Sequence, residues 1–198
     1  MNLVDRAKNI IISPKTEWGV VTNEEPNIQQ IITGYVLPLA VLPAIAMVIG
    51  WGAIGMMGFK SFNYGIAMAL VQLLNAVVSV FIAAFVIDAL APSFGSQKNL
   101  GRALQLIAYS MTPIWVGGIL NIIPAIGWLG SLFGLYGLYL LYIGLSPVMK
   151  TPEEKKLGYV IVSIVVLLVV YFVITAILTA ILFSVFGLSM WGAANFYR

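Results

Sequence analysis

The hydrophobic and polar positions of this chain fall in blocks, with long apolar runs separated by short polar stretches. Five runs are long enough to be bilayer-crossing helices: roughly residues 31–57, 65–91, 103–122, 126–149 and 159–186. A hydrocarbon core of about 30 Å needs about 20 mainly apolar residues in helical form. Each run must be helical, because a lone strand in lipid leaves backbone N–H and C=O groups without partners. The polar stretches are 58–64, 92–102, the Asn121–Pro124 region and 150–158. The third break is the least marked. Asn121, Pro124 and Gly127 interrupt the helix signal there, but no charge does.

The expected architecture is therefore all-α: a polytopic membrane protein built as a bundle of five transmembrane helices. It covers residues 31–190, with a short cytosolic or interfacial segment at 1–30 and a tail at 191–198. Composition agrees. Hydrophobic residues make up 61% of the chain and charged residues 9%. Soluble domains carry about 25% charged residues, so the surface of this chain needs an apolar solvent.

Charge adds an orientation. If the spans alternate, the N-terminal side receives Arg6, Lys8, Lys15, Lys98, Arg102, Lys150, Lys155 and Lys156, and the other side only Lys60 and Arg198. Cytoplasmic loops carry the Lys/Arg excess. The N-terminus is thus expected in the cytoplasm and the C-terminus outside. Residues 1–29 hold seven charges and no long apolar run, which is not a signal-peptide pattern. Trp51, Trp128 and Trp191 fall at expected outer ends of spans, where an indole N–H stays near water. Trp115 lies inside the third span and is expected to be packed.

Before the first span, Ser13 and Pro14 read as an N-cap followed by the first helical position. The helix they start carries Trp18 and Val21 on an apolar face, with Lys15 and Glu17 towards the polar side. This predicts a short amphipathic helix on the inner membrane surface, or a docking segment for a cytosolic partner.

Candidate chemistry inside the membrane is sparse. Gly127, Gly130, Gly134 and Gly137 share one face of the fourth span, a helix-packing face suited to an intramolecular neighbour or a homodimer seam. Tyr136, Tyr139 and Tyr142 fall on roughly the opposite face. Gln72, Asn75 and Ser79 form a polar stripe on the second span, and Gln105, Tyr109 and Thr112 form one on the third. If those faces met, they would draw a polar line across the bilayer, either as interhelical hydrogen bonds or as a solute path. Asp88, the one acidic residue inside an expected span, sits near its inner end, within reach of Lys98 or Arg102. Pro38, Pro43, Pro113, Pro124 and Pro147 lie in or beside spans and can kink them. Glu24–Glu25 and Glu153–Glu154 read as solvated charge runs.

The chain has no cysteine and no histidine. That excludes disulfides, thiolate and imidazole metal sites, and Cys/His or Ser/His/Asp catalysis. No phosphate-binding glycine loop appears. No cofactor, metal, catalytic residue or nucleic-acid partner is expected.

Five segments then stand together in order: Pro14–Trp18, Leu90–Gly95, Ala108–Trp115, Pro124 and Leu135–Met149. They resemble the bacterial branch of the Yip family, the Ypt/Rab-interacting membrane proteins, from about residue 8 to the end of the fifth span. The resemblance implies a compact five-helix domain with a cytosolic N-terminus, in a bacterial cytoplasmic (inner) membrane. Tyr109, Thr112, Pro113, Tyr136, Tyr139 and Gly144 match the shared pattern. Eukaryotic members are tied to Rab-type GTPases and carry an Asp-Leu-Tyr-Gly-Pro motif in a longer N-terminal region. This chain lacks that motif, so GTPase binding does not carry over.

Two functions compete on these grounds. One is a non-enzymatic membrane protein acting by helix packing and by protein or lipid interaction, with a homo-oligomer or another membrane protein as partner. The other is a small solute or ion transporter or channel using the two polar stripes, with Asp88 as a further member of the path.

Overall fold

The computed structural model describes residues 2–185. Phe186, Trp191, Arg198 and the expected 191–198 tail lie outside the described residues. Two short helices open the chain, α1 (Leu3–Ile12) and α2 (Pro14–Thr22). Five helices long and apolar enough to cross a membrane follow. They are the first span Ile28–Ile54, the second Phe62–Phe94, the third Leu100–Ile122, the fourth Leu129–Met149 and the fifth Glu153–Val185. Among the described residues there is no strand. One bridge, Met56 with Phe59, closes a tight turn whose central residues Met57 and Gly58 both have positive φ.

Local chemistry explains where the helices begin. Asn2, Asn27, Ser61 and Asn99 each accept a hydrogen bond from a backbone N–H three residues on, the bond that an N-cap supplies. The break between the third and fourth spans follows from proline. Pro124 pushes the residue before it out of the helical region, and Ile123 is extended at φ −115° and ψ 98°. Asn121 then donates its side-chain amide to the Gly118 carbonyl at 2.8 Å, satisfying an acceptor at the end of the third span.

The first span is not a regular helix. Its turns at Ile32–Val36 and Gly50–Ile54 are widened, with bonds reaching back five residues: Leu37 N–H to the Ile32 carbonyl and Gly55 N–H to that of Gly50. Pro38 lacks an N–H and cannot serve the Gly34 carbonyl, so regular bonding fails next to that turn.

The third span is the centre of the bundle and the fifth is its edge. In their most apolar windows, 72% of the third is buried but only 11% of the fifth, which packs mainly along the second. The large side chains on the uncovered face of the fifth are Leu, Ile, Val and Phe with Tyr171, a mainly apolar surface as lipid contact requires.

The glycine face of the fourth span lies against the third span of the same chain. A Cβ on Gly130 would sit 2.7 Å from the Gly117 carbonyl oxygen, and one on Gly137 2.7 Å from that of Ser110. Gly134 meets the Ile114 side chain. Gly127 precedes the helix and faces Asn121. Of the two neighbours that this face suits, the structure shows the intramolecular one.

One expectation for α2 is corrected, the exposure of Glu17. Trp18 and Val21 belong to the main core together with Ile107, Leu140 and Leu145. Glu17, expected on the polar side, is 4% exposed. The turn at Ser13 folds α1 back along α2, so a charge from α1 reaches Glu17. Helical periodicity within α2 alone cannot show that pairing.

Candidate functional site

The site starts from one missing N–H. Pro113 cannot donate to the Tyr109 carbonyl four residues earlier. The Thr112 hydroxyl takes that acceptor instead, donating to it at 2.7 Å. With its proton so used, the Thr112 oxygen accepts from the Tyr35 hydroxyl, also at 2.7 Å. Tyr35 comes from the widened turn of the first span. Its ring meets Tyr109 edge-on at 4.7 Å between centroids, and Trp115 at 6.5 Å. Trp18 of α2 closes the aromatic cluster, 6.3 Å from Tyr109.

Charge is layered over these rings. The Arg6 guanidinium lies 5.1 Å from the Tyr109 ring centroid, in cation–π range. It donates to Glu17 at 2.6 Å and also to Glu24, while only 5% exposed. A buried arginine needs such partners, because an unpaired charge there would be strongly destabilising. Arg102, at the start of the third span, donates to the backbone carbonyls of Val21 (3.0 Å) and Glu24 (2.7 Å) and to Gln105 Oε1 (3.3 Å). The Tyr136 hydroxyl donates to the Ile11 carbonyl at 2.6 Å. Helices α1 and α2 are thus tied down from the third and fourth spans.

Beneath this cap is a cavity of about 250 Å³. Arg6, Glu24, Glu25, Tyr35, Gln105 and Tyr109 all face it. It lies beside the first turns of the first span, at one end of the bundle.

The structure gathers some of the sequence candidates and separates others. Gln105, Tyr109, Thr112 and Pro113 meet in this site. Gly144 lies directly under Trp18, and Tyr136 fastens α1. Tyr139 is exposed, as is Tyr142, which carries the Lys156 ammonium over its ring. Asn75 instead faces the fifth span, donating to Thr175 at 2.5 Å, and Ser79 donates to Asn75 at 2.5 Å. Gln72 is half-buried one turn away. The two polar stripes therefore bond to different neighbours and do not draw one line. Asp88 is 7% exposed but pairs with neither Lys98 nor Arg102, since Arg102 is committed to α2 and the loop after it. Glu24 is half-buried and held by Arg6 rather than fully solvated.

Sequence reasoning missed Arg6, Glu17, Glu24, Tyr35 and Arg102 as site members. Tyr35, a hydroxyl among aliphatic residues one turn before Pro38, is the one that carried a usable signal.

The profile of one known family, described as the Yip1 domain, matches residues 8–177. No curated protein and no solved structure matches the chain.

Proposed function

The chain belongs to the Yip1 domain family, and on that premise we propose that it acts in its membrane by binding rather than by catalysis, through the pocket between α1, the loop after α2 and the first and third spans. One observation carries this reading. Polar groups from four separate parts of the chain, Arg6 of α1, Glu24 of the loop after α2, Tyr35 of the first span and Gln105 of the third, line one cavity, and Arg6 donates to Glu24 across it. Such an assembly is costly to desolvate unless it positions something.

The Lys/Arg excess puts this end of the bundle in the cytoplasm, and the setting is a bacterial cytoplasmic membrane. Partners are the bilayer and a second membrane protein or copy of the chain. The missing Asp-Leu-Tyr-Gly-Pro motif gives a Rab-type GTPase no support as a partner. An aqueous path gains no support, because the two polar stripes engage different helices.

A photo-crosslinking residue at Gln30, on the cavity rim, tests the reading in native membranes. A discrete adduct there, absent from the same probe at the lipid-facing Leu132, supports it. Identical profiles at the two positions would remove it.

A further inference from the structure

We propose that the cavity under α1 binds a primary ammonium group. This rests on the binding reading above and names its ligand. The lining carries two carboxylates, Glu24 and Glu25, against one guanidinium, Arg6. That guanidinium is already committed to Glu17 and Glu24. Among the described residues Glu25 has no ion-pair partner and is exposed at the mouth. The cavity therefore offers an excess of negative charge and of hydrogen-bond acceptors.

Two deeply buried side chains present free polar atoms to it. Tyr109 is 7% exposed, and its hydroxyl has no hydrogen-bond partner among the described residues. Gln105 is 2% exposed, and its oxygen is fixed towards Arg102. Its amide N–H groups are thus left for the cavity, again without a partner among the described residues. Carboxylates and a phenolic oxygen suit a group with three N–H donors. The Gln105 amide suits an oxygen a short distance from that nitrogen. A quaternary ammonium has no N–H to give.

The volume is below that of pockets for drug-sized ligands and fits a small polar head. The site lies where the first span begins, at headgroup depth. The ammonium can therefore come from an aminophospholipid head or from a small free amine such as ethanolamine.

The test uses the full-length protein. Native mass spectrometry compares retention of phosphatidylethanolamine and phosphatidylcholine from mixed micelles, and calorimetry follows titration with free ethanolamine. Both are repeated on Glu25→Gln and Tyr109→Phe, with Glu154→Gln as a remote charge control and helical circular dichroism as a fold check. Glu25 is exposed, so its variant keeps the test decisive even if Tyr109→Phe misfolds. A preference of about fivefold or more for the ethanolamine lipid, lost in both variants but kept in the control, supports the lipid source. Saturable ethanolamine binding without lipid preference, weakened in both variants, supports the free amine. Absence of both, or binding unchanged in Glu25→Gln, overturns the proposal. A Gln30 adduct obtained alongside that negative result would leave the binding reading standing and remove only its ligand.

Discussion

Gly144 of the fourth span lies directly beneath the indole of Trp18. A Cβ built on it would sit 2.7 Å from the indole Cε2 and 2.6 Å from Leu106 Cδ1. The absent side chain is what lets α2 sink its tryptophan between the third and fourth spans. Gly144→Ala should therefore overpack this contact at a cost of about 1–3 kcal/mol. Thermal melting in detergent reads the loss. Faster proteolysis after α2 shows whether the N-terminal segment is what comes loose.

Arg6 and Glu17 form a pair with both side chains nearly inaccessible. Removing one partner leaves the other as an unpaired buried charge, a loss of about 3–5 kcal/mol. Arg6→Met should therefore be much less stable than the double variant Arg6→Met, Glu17→Met. Denaturant melts of the two singles and the double would reveal this. Additive losses would mean that the pair is not coupled.

Thr112 serves two groups at once, the carbonyl that Pro113 leaves free and the Tyr35 hydroxyl. Thr112→Val should cost about 1–3 kcal/mol through those orphaned groups. In a Pro113→Ala background the restored N–H can serve the Tyr109 carbonyl, so the same change should cost less. A double-mutant cycle of melting free energies measures the difference.

The fourth span's glycines should not respond alike. Gly130→Ala and Gly137→Ala drive a methyl into backbone oxygens that cannot move aside. Gly134→Ala meets the Ile114 side chain at 3.4 Å and should be mild. Cysteines placed at Gly134 and Ile114 should cross-link within one chain. A single cysteine at Gly134 should give no dimer on oxidation, and a strong dimer band would show a seam between copies.

Single cysteines at Asn75 and Ser79 bear on transport. Both side chains bond within the second and fifth spans. Polar maleimides should label them far more slowly than a cysteine at Met57, which is 82% exposed in the turn after the first span. Labelling at comparable rates would open an aqueous route that the packing does not show.

Much of the framework was legible in the chain itself. Runs of about 20 apolar residues admit helices across lipid as their solution, and five runs gave five helices. Proline and asparagine marked real breaks, as Pro124 and Asn121 show at the least charged boundary. Tyr109 and Thr112 stood out beforehand as part of a polar stripe, Pro113 as a kink and Gly144 by the family pattern alone. Their roles rest on residues far off in sequence: Thr112 on Tyr35, Gly144 on Trp18.

What the sequence determined by itself was the medium, the number of crossings and the places where helices stop, because these depend on short-range hydrophobicity and on backbone donors. The tertiary structure alone decided which face meets which. It turned the glycine face inward, sent Asn75 to the fifth span rather than the third, and buried Arg6 with Glu17 and Glu24 over Tyr109. In lipid every outer helix face is apolar, so hydrophobicity does not distinguish a packed face from a lipid-facing one. Close backbone approach and the partnering of each buried polar group make that choice, and both depend on contacts that run length does not encode.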